Sequence, residues 1–565
     1  MGLISPYGGK LVDLMAEGAH REDLQREAAT LPTLTLNMRQ LCDLELLLSG
    51  ALSPLQGFME RADFDRVGAE MLLANGTFWP LPIVLDIGAV QAMAMQPGTR
   101  IALCDASGEK LAILAVSDVW AADRALEARQ IYGCELPAQA GLDYLDQLGS
   151  HYAGGRLEGL SLPRHGDFAA LRLTPAMARE NFKRLGHSRA IAFQPCHVMH
   201  RAQFEFTRHC TEDNDAGLLI QAIAGEASNP DYFTRIRCLQ ALLPRYPENT
   251  AQLGLLPLAS RQAGMREVLW KAIVARNHGC SHYIIGGDAG AGEIRRGSDA
   301  LAPGRVQPLA EHFATIGVEP ITFPRMVYVP ELEQYMPEEY LPPGQDTQSL
   351  SSRELKQRIL DGRESIPQWA SFPEVVEELQ IRHPPRNKRG FTIFFTGLSS
   401  AGKATLSLAL EAKLMELTGR PVTLLAGDMA HTLLASGPAN SRTGRNLNIR
   451  RIGFVAAEIT RQGGIAICAP IAPYRETRQA VRDMIEPLGG FFEVHVSMPL
   501  GICETRDAKG LYTRSRAGII KDVTDISAPY ETPHAPEVSI NTGNLHVAEA
   551  MERIVSRLRA DGYLV

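Results

Sequence analysis

The chain has 565 residues, which is too long for one ordinary hydrophobic core and predicts roughly three or four domains. Hydrophobic residues make up 45% and charged residues 21%, a balance that excludes a disordered or fibrous chain. The formal charge of -7 argues against a general nucleic-acid binder, because neutralising phosphates requires a concentrated basic surface.

The cysteine pattern and the N-terminal residues indicate the cellular compartment in which the protein is expected. Nine cysteines are scattered singly, with no Cys-x-x-Cys pair to chelate zinc and no short-spaced framework typical of disulfides, which favours a reducing compartment. Residues 1–10 lack a basic segment followed by an apolar one, and no stretch approaches the roughly 20 apolar residues of a membrane span. We therefore expect a soluble, cytoplasmic protein without a membrane or nucleic-acid partner.

Residues 1–167 and 168–330 differ in pattern. The first segment mixes short strand-like runs, such as Trp79–Ile87 and Lys110–Val119, with Gly/Pro turns, and this predicts a compact β-rich domain. In the second, apolar runs alternate with helical patterns, which is typical of an α/β nucleotide-handling domain. The predicted elements there are a strand at Arg189–Gln194, a helix at Met199–Thr207 and a strand at His282–Ile285.

Residues 331–385 predict a small connecting domain and a linker. Helical patterns at Ser352–Leu360 and Pro373–Leu379 follow a Pro-rich stretch. The run His383–Gly390 is polar, basic and proline-containing, so we expect an exposed linker there. The last domain should then occupy residues 386–565.

A strand, a glycine-rich loop and a helix follow one another at the start of this last domain. The buried-strand run Phe391–Thr396 leads into Gly397-Leu398-Ser399-Ser400-Ala401-Gly402-Lys403, and the helix-forming stretch Ala404–Leu417 comes next. The N–H groups of such a loop bind the β-phosphate of a nucleotide, and its lysine reaches the β- and γ-phosphates. A Gly/Ser-rich turn with a chance lysine is the alternative, but the flanking strand and helix favour a P-loop. The predicted nucleotide-binding residues are Gly397, Ser399, Ser400, Ala401, Gly402, Lys403, Ala404 and Thr405.

One loop position departs from the P-loop pattern. The residue after the lysine is normally Ser or Thr, whose hydroxyl binds Mg²⁺, but here it is Ala404, with Thr405 next. Because Mg²⁺ keeps several waters in such sites, we expect it to bind through ATP and water, more weakly, with no protein ligand assigned.

Polar residues beyond the loop suit an anionic acceptor. The predicted strand Pro421–Leu425 is followed by Asp428, which can take the proton of an attacking hydroxyl or orient the waters of a metal ion. Alternatively, Asp428 caps the following helix. A basic cluster comes next, at Arg445, Asn448, Arg450 and Arg451. Such a cluster fits a bound anion, although alone it is more often a solvated helix face.

Residues 390–565 resemble adenylylsulfate (APS) kinases in the order and spacing of several motifs. The matching stretches are Gly397–Lys403, Gly427-Asp428, Arg445–Arg451, Pro473-Tyr474-Arg475, Arg506–Tyr512 and Lys521–Tyr530. The resemblance implies transfer of the ATP γ-phosphate to the 3'-hydroxyl of APS, which gives 3'-phosphoadenylylsulfate (PAPS), with Mg²⁺ required. It also implies a role in sulfur metabolism, in sulfate assimilation or in a sulfur-oxidising route.

The same resemblance implies individual roles. Lys403 and Asp428 are the implied catalytic residues, Arg506 and Lys509 belong to the ATP site, and Asp507–Tyr512 is the lid over ATP. The implied APS-binding residues are Asp428, His431, Arg445, Asn448, Ile471 and Lys521. Five family positions have changed, namely those at Ala426, Met429, His431, Ala472 and Val523. We expect these changes to weaken APS binding rather than to alter the reaction.

Most of the preceding chain resembles ATP sulfurylase (sulfate adenylyltransferase). The matching stretches are Tyr7–Leu11, Leu44–Met59, Phe78–Asp86 and Gly362–Val375. Together the two resemblances imply a multidomain α/β protein: a β-rich PUA-like domain, a nucleotidyltransferase-like (Rossmann-like) domain, a small connecting domain and a P-loop kinase with a parallel sheet. They also imply a homo-oligomer, a dimer or a hexamer, with APS and ATP as small-molecule substrates.

The catalytic motifs of the sulfurylase region are degenerate. Against the family motif Q-T-R-N-P-x-H-x-x-H, the chain keeps Gln194 and His200 but has Cys196 for Arg, His197 for Asn and Gln203 for the second His. Against G-R-D-H-A-G it keeps Asp288 but has Gly287 for Arg and Ala289 for His, whereas Arg261 and Arg266 remain in a family-like stretch. Adenylyl transfer between two anions depends on cations, so we expect little or no sulfurylase activity. Cys196 and His197 as a metal or nucleophile site is a weaker alternative to a packed polar loop.

Three functional hypotheses follow. The first is an APS kinase whose sulfurylase-like region is inactive and provides an oligomeric scaffold. The second is an active bifunctional sulfate adenylyltransferase and APS kinase. The third is a non-catalytic sulfonucleotide-binding regulator, which Ala404, Ala426 and Val523 favour and which Lys403 and Asp428 disfavour.

Overall fold

The computed structural model describes residues 2–133, 144–195, 197–225, 231–286, 306–361, 365–425, 442–507, 510–519 and 529–564. The chain forms two compact units, Met1–Ser351 with Pro367–Leu379 and Ser352–Ile366 with Gln380–Val565. The predicted domain boundaries at 167, 330 and 385 remain predictions. Within the described ranges no helix combines the length and the apolar character needed to cross a membrane.

The first unit begins with a mixed β-sheet, which confirms the predicted β-rich segment. Its strands are β1 (Thr33–Thr35), β2 (Gly57–Phe58), β3 (Leu85–Ile87), β4 (Arg100–Cys104), β5 (Lys110–Ala121) and β6 (His151–Gly159), and its helices are α1 (Gly18–Ala28), α2 (Met38–Leu48), α3 (Arg61–Glu70), α4 (Ala89–Ala94) and α5 (Arg124–Tyr132). The six strands pair in the order β1-β4-β5-β6-β2, with β3 also paired to β6. Most of the run Trp79–Ile87 is not a strand, because Pro80 and Pro82 lack the N–H group that a ladder requires.

A parallel sheet follows in the same unit and confirms the predicted α/β alternation. Its strands are β7 (Ala190–Phe193), β8 (Gly217–Ile223), β9 (Ala251–Leu256), β10 (His282–Ile285) and β11 (Glu319–Thr322), and its helices are α6 (Pro175–Arg184), α7 (Arg201–Asn214), α8 (Tyr232–Leu242), α9 (Met265–Asn277) and α10 (Val306–Ile316). The order β11-β10-β7-β8-β9 reverses direction at β7. In such sheets the crevice beside the switch point, at the carboxyl ends of the strands, is the usual ligand site.

A β-hairpin that begins just before the connecting segment leads into it, and the two predicted helices follow. The elements are β12 (Met326–Val329), β13 (Gln334–Pro337), α11 (Ser352–Asp361) and α12 (Pro373–Arg382). Elsewhere in the chain and beside these elements, short 3-10 turns lie at Ala169–Leu171, Leu243–Arg245, Glu338–Tyr340 and Arg386–Lys388. The expectation of an exposed linker at 383–390 is wrong in part, because Pro385 and Gly390 are buried. A Cβ atom at Gly390 would lie 2.1 Å from the Thr460 carbonyl oxygen, so this segment packs tightly.

The second unit is built on a fully parallel five-stranded sheet. Its strands are β14 (Phe391–Thr396), β15 (Val422–Leu425), β16 (Ile465–Cys468), β17 (Gly490–Ser497) and β18 (Val538–Asn541), and its helices are α13 (Lys403–Thr418), α14 (Arg442–Arg461), α15 (Arg475–Ile485), α16 (Leu500–Thr505), α17 (Leu511–Arg516) and α18 (Val547–Ala560). The order β15-β16-β14-β17-β18 places β14 at the centre. Every residue of β14 is buried, as expected for a parallel strand covered on both faces. The predicted strand, loop and helix around the glycine-rich loop are confirmed.

Candidate active site

The glycine-rich loop leaves the carboxyl end of β14 and turns directly into α13. A Cβ atom at Gly397 would lie 2.3 Å from the Val496 carbonyl oxygen, so only glycine fits at this position. Gly402 caps α13 with φ +98°, and Ser400 adopts φ +59°, which is uncommon for a residue with a side chain. Strained backbone of this kind clusters at ligand-binding loops.

The side chain of Lys403 folds back over the loop. Its Nζ atom donates to the carbonyl oxygens of Gly397, at 2.8 Å, and Leu398, at 2.6 Å. The residue is only 7% exposed. The first N–H groups of α13 lack helical partners and carry the positive end of the helix dipole, so the lysine and the helix start together form a cationic cradle for phosphates.

Two hydroxyl groups brace the loop from outside. Tyr512 Oη donates to the Ser399 carbonyl oxygen at 3.1 Å, and Thr542 Oγ1 donates to that of Ala401 at 2.7 Å. Tyr512 belongs to the segment predicted as a lid, whose turn is fixed by Asp507 carboxylate oxygens that accept from the backbone N–H groups of Leu511 and Thr513. Sequence reasoning missed Thr542, whose one signal is its place directly after the last strand.

The first turn of α13 offers little to a metal ion. Ala404 stands where a hydroxyl would bind Mg²⁺, and it has no side-chain oxygen; Thr405 is exposed one position further on. Within residues 397–407, therefore, the side chains do not form a magnesium site of the usual P-loop kind.

The turn at Ile471 adjoins the start of the loop. The Ile471 carbonyl oxygen accepts from the Gly397 backbone N–H at 3.3 Å and from Thr396 Oγ1 at 2.8 Å. The guanidinium group of Arg442, at the start of α14, lies 4.4 Å from the ring centroid of Tyr474. The structure thus brings the turn, the first turn of α14 and the phosphate loop to one edge of the sheet.

Of the remaining predicted kinase-site residues, three lie within the described part of the chain and four lie outside it. Arg445 and Asn448 lie half-buried in the N-terminal part of α14. Arg506 is exposed, and its Nη1 atom lies 3.7 Å from Met498 Sδ. Asp428, His431, Lys509 and Lys521 lie outside the described residues, as do Cys196, Gly287, Asp288 and Ala289 of the sulfurylase-like region.

In the first unit, Gln194 follows β7 at the switch point and is held by its neighbours. Its Nε2 atom donates to Gln221 Oε1 at 2.9 Å, and Tyr283 Oη donates to its Oε1 atom at 3.3 Å. All three side chains are buried. The retained glutamine is therefore part of a neutral buried network that joins β7, β8 and β10.

His200 and Gln203, two further residues of this motif, have local partners too. His200 caps α7: its backbone N–H donates to Gln203 Oε1 at 3.0 Å, and its Nδ1 atom lies 3.0 Å from Ser371 Oγ. Gln203 thus completes a capping box, which is a structural role. His197 is exposed.

The two arginines that the sequence retains hold the N-terminal sheet region in place. Arg261 is 4% exposed, and its Nη2 atom lies 2.5 Å from Asp43 Oδ1 while Nη1 donates to the Pro82 carbonyl oxygen at 2.6 Å. Burial lowers the pKa of Arg261, but the Asp43 carboxylate outweighs it and leaves the pKa above its usual value. Arg266 donates to the carbonyl oxygens of Val67, Gly68 and Pro80. Both guanidinium groups are therefore engaged in packing.

Family models match the chain in three consecutive parts. The PUA-like domain matches residues 4–162, ATP-sulfurylase matches 169–381, and adenylylsulphate kinase matches 389–541. This order confirms the PUA-like, sulfurylase-like and kinase regions that the sequence predicts.

Full-length relatives combine the same parts. The sulfate adenylyltransferase of Coccidioides immitis (strain RS) is 41% identical over 568 residues, and that of Chaetomium globosum is 42% identical over 569, each match covering 99% of both chains. A solved structure described as a hexameric APS kinase from Thiobacillus denitrificans is 42% identical, covers 100% of both chains and has a TM-score of 0.75. The chain therefore belongs to the sulfate adenylyltransferase family in which an ATP-sulfurylase region is joined to a C-terminal adenylylsulfate kinase domain.

Proposed function

We propose that this enzyme is an adenylylsulfate kinase, which transfers the γ-phosphate of ATP to the 3'-hydroxyl of APS and releases PAPS and ADP. The observation that carries the proposal is the adjacency of the Lys403 cradle and the Ile471 turn, which share the Gly397 N–H to Ile471 carbonyl hydrogen bond. ATP is a substrate of both domain types found in the chain. A donor nucleotide in the cradle and an acceptor against the turn would meet at one edge of the sheet.

The chemistry follows from that adjacency. The 3'-oxygen of APS bonds to the γ-phosphorus, the bond from the γ-phosphorus to the β,γ-bridging oxygen breaks, and ADP leaves. Asp428 receives the hydroxyl proton, and Lys403 with the loop N–H groups stabilises the charge on the phosphate oxygens. Mg²⁺ would be held by phosphate oxygens and water, because Ala404 supplies no ligand.

The sulfurylase-like region, in this proposal, is a scaffold without adenylyltransferase activity. Five motif positions have lost the family residue, at Cys196, His197, Gln203, Gly287 and Ala289. The retained Gln194 and His200 hydrogen-bond to neighbouring side chains, and Arg261 is paired with Asp43. The full-length Thiobacillus denitrificans protein, described as a hexameric APS kinase, supports both a kinase function and a homo-oligomeric scaffold. Light scattering should accordingly give a dimer or a hexamer, and a monomer would remove the role of the scaffold.

The test is an assay of the full-length enzyme with APS and ATP in which PAPS is measured. Lys403→Ala should lower kcat/KM by ~10²–10³-fold, the usual cost of removing one donor to a developing charge. Lys413→Ala is the matched control, because Lys413 lies on the same helix and pairs with Glu416 at the surface. Undiminished PAPS formation by Lys403→Ala, with wild-type values for Lys413→Ala, would refute the assignment of the cradle.

The second candidate is a bifunctional enzyme that also makes APS from sulfate and ATP. It is favoured by the names of the fungal relatives, which are sulfate adenylyltransferases over their full length. Release of pyrophosphate from ATP that depends on added sulfate would establish it. Our proposal requires no such release at enzyme concentrations that give rapid PAPS formation.

A further inference from the structure

We propose that Arg478 is a positioning residue of the acceptor site, which holds the Ile471–Ala472 turn against the phosphate loop through a buried fork of hydrogen bonds. The inference rests on the proposed function, in which Ile471 lines the APS site. Arg478 lies in the first turn of α15, on the same buried stripe as Val481 and Ile485. An arginine on such a stripe requires partners for its charge and its donors.

Arg478 finds those partners on three separate segments. Its Nη1 atom donates to the Ala472 carbonyl oxygen at 2.7 Å, and Nη2 donates to the Glu531 carbonyl oxygen at 2.7 Å. Its Nε atom lies 2.6 Å from Glu493 Oε1 on β17, and the side chain is only 3% exposed. The planar guanidinium therefore holds Ala472 of the turn, Glu531 and Glu493 of β17 at fixed positions relative to one another.

Thr396 holds the same turn from the other side. Its hydroxyl has one proton, which is shared between the carbonyl oxygens of Ile471, at 2.8 Å, and Ala472, at 3.1 Å. Since that single proton is used, the Tyr530 hydroxyl at 3.0 Å must donate to Thr396. The ring of Tyr530 stacks on His495, with centroids 6.1 Å apart. Thr396 is the last residue of β14 and directly precedes the phosphate loop.

Arg478 and Thr396 together form a clamp on the Ile471–Ala472 turn, and the backbone of that turn is strained. Ala472 adopts φ +45°, a left-handed conformation that residues with a side chain rarely occupy. Such a conformation persists only where the surroundings over-determine it, and here one carbonyl group accepts from both Arg478 and Thr396. Without the clamp the turn should relax to an ordinary conformation and move Ile471 away from the acceptor.

Arg478→Lys separates positioning from folding. Lysine keeps a positive charge beside Glu493, but its single ammonium group does not reproduce the fork to two carbonyl oxygens. The dissociation constant of APS, measured calorimetrically in the presence of ADP, should rise ~10–100-fold, as expected for loss of a charge-assisted hydrogen bond. The affinity for ADP alone should stay close to that of the wild type.

Arg482→Lys is the matched control. Arg482 lies one turn further along α15 and pairs with Glu486 and Glu537. It also lies 3.7 Å from Oε2 of Glu493, the carboxylate beside Arg478, but it donates to neither carbonyl oxygen of the Ile471–Ala472 turn. The Arg482→Lys substitution should lower the melting temperature of the enzyme without changing its affinity for APS. Thr396→Val should weaken APS binding by ~2–10-fold through loss of a neutral hydrogen bond, and Thr396→Ser should restore it.

The two proposals fail differently in this experiment. If APS binds and responds to these variants but the wild type makes no PAPS, the kinase proposal is wrong and the positioning role stands. If the wild type makes PAPS but Arg478→Lys binds APS normally, or Arg482→Lys weakens binding equally, the positioning role is wrong. Failure of the wild type to bind APS overturns both.

Discussion

The phosphate loop of the second unit and the Gln194–Gln203 segment of the first occupy equivalent places, each where a central parallel strand ends beside a helix. They differ in what the polar groups there contact. At the loop, Lys403 Nζ donates to the carbonyl oxygens of Gly397 and Leu398, which belong to the loop itself. At the motif, Gln194 bonds to the Gln221 side chain and His200 to that of Ser371. Polar groups of both places are therefore bonded within the protein, and the loop differs in that the start of α13, with N–H groups that lack helical partners, lies beside its cation.

The sharpest test of this contrast is to remove the ion pair between Arg261 and Asp43. If the arginine is structural, Arg261→Met removes one of the two arginines that pair with buried Asp43 and leaves Arg39, 3.1 Å from the other carboxylate oxygen, as its remaining cation. The substitution should destabilise the first unit by about 3 kcal/mol. Arg245→Met is the control, because Arg245 pairs with Glu374 at the surface and should contribute about 0–1 kcal/mol. Chemical denaturation measures both. Unchanged stability of Arg261→Met would mean that this cation is available for a substrate after all.

A smaller effect is expected where His200 meets Ser371. Ser371→Ala removes a buried partner of the imidazole and should cost about 1–3 kcal/mol of stability, with APS phosphorylation unchanged. Ser150→Ala provides the comparison, since Ser150 makes the same contact with His151 in an exposed position, 3.0 Å from its Nδ1 atom. Equal losses of stability in the two variants would contradict a structural role for the buried pair.

The smallest effect concerns the brace on the phosphate loop. Thr542→Val removes the hydrogen bond to the Ala401 carbonyl oxygen and should raise KM for ATP by ~2–10-fold. Thr418→Val removes a hydrogen bond of the same length, 2.7 Å, to the Leu414 carbonyl oxygen at the far end of the same helix, and should leave KM unchanged. A rise in KM for both variants would point to general loosening of α13 rather than to the loop.

Local signals and distant contacts differed in how far the sequence could predict them. The strand Phe391–Thr396, the loop and the helix are coded in consecutive residues, so their bounds were predicted almost to the residue. The clamp could not be predicted, because the carbonyl partners of Arg478 lie 6 and 53 positions away along the chain. Likewise Arg261 looked like a retained cation until its partner, Asp43, was found 218 positions earlier. Sequence patterns report which groups are present, and only the fold determines which of them are already engaged.

Nucleotide stoichiometry tests the central claim most directly. A non-hydrolysable ATP analogue titrated into the full-length enzyme should bind once per chain, and Lys403→Ala should abolish that binding. Two bound nucleotides per chain, or one that survives Lys403→Ala, would mean that the first unit still holds ATP and would contradict the division of roles argued above.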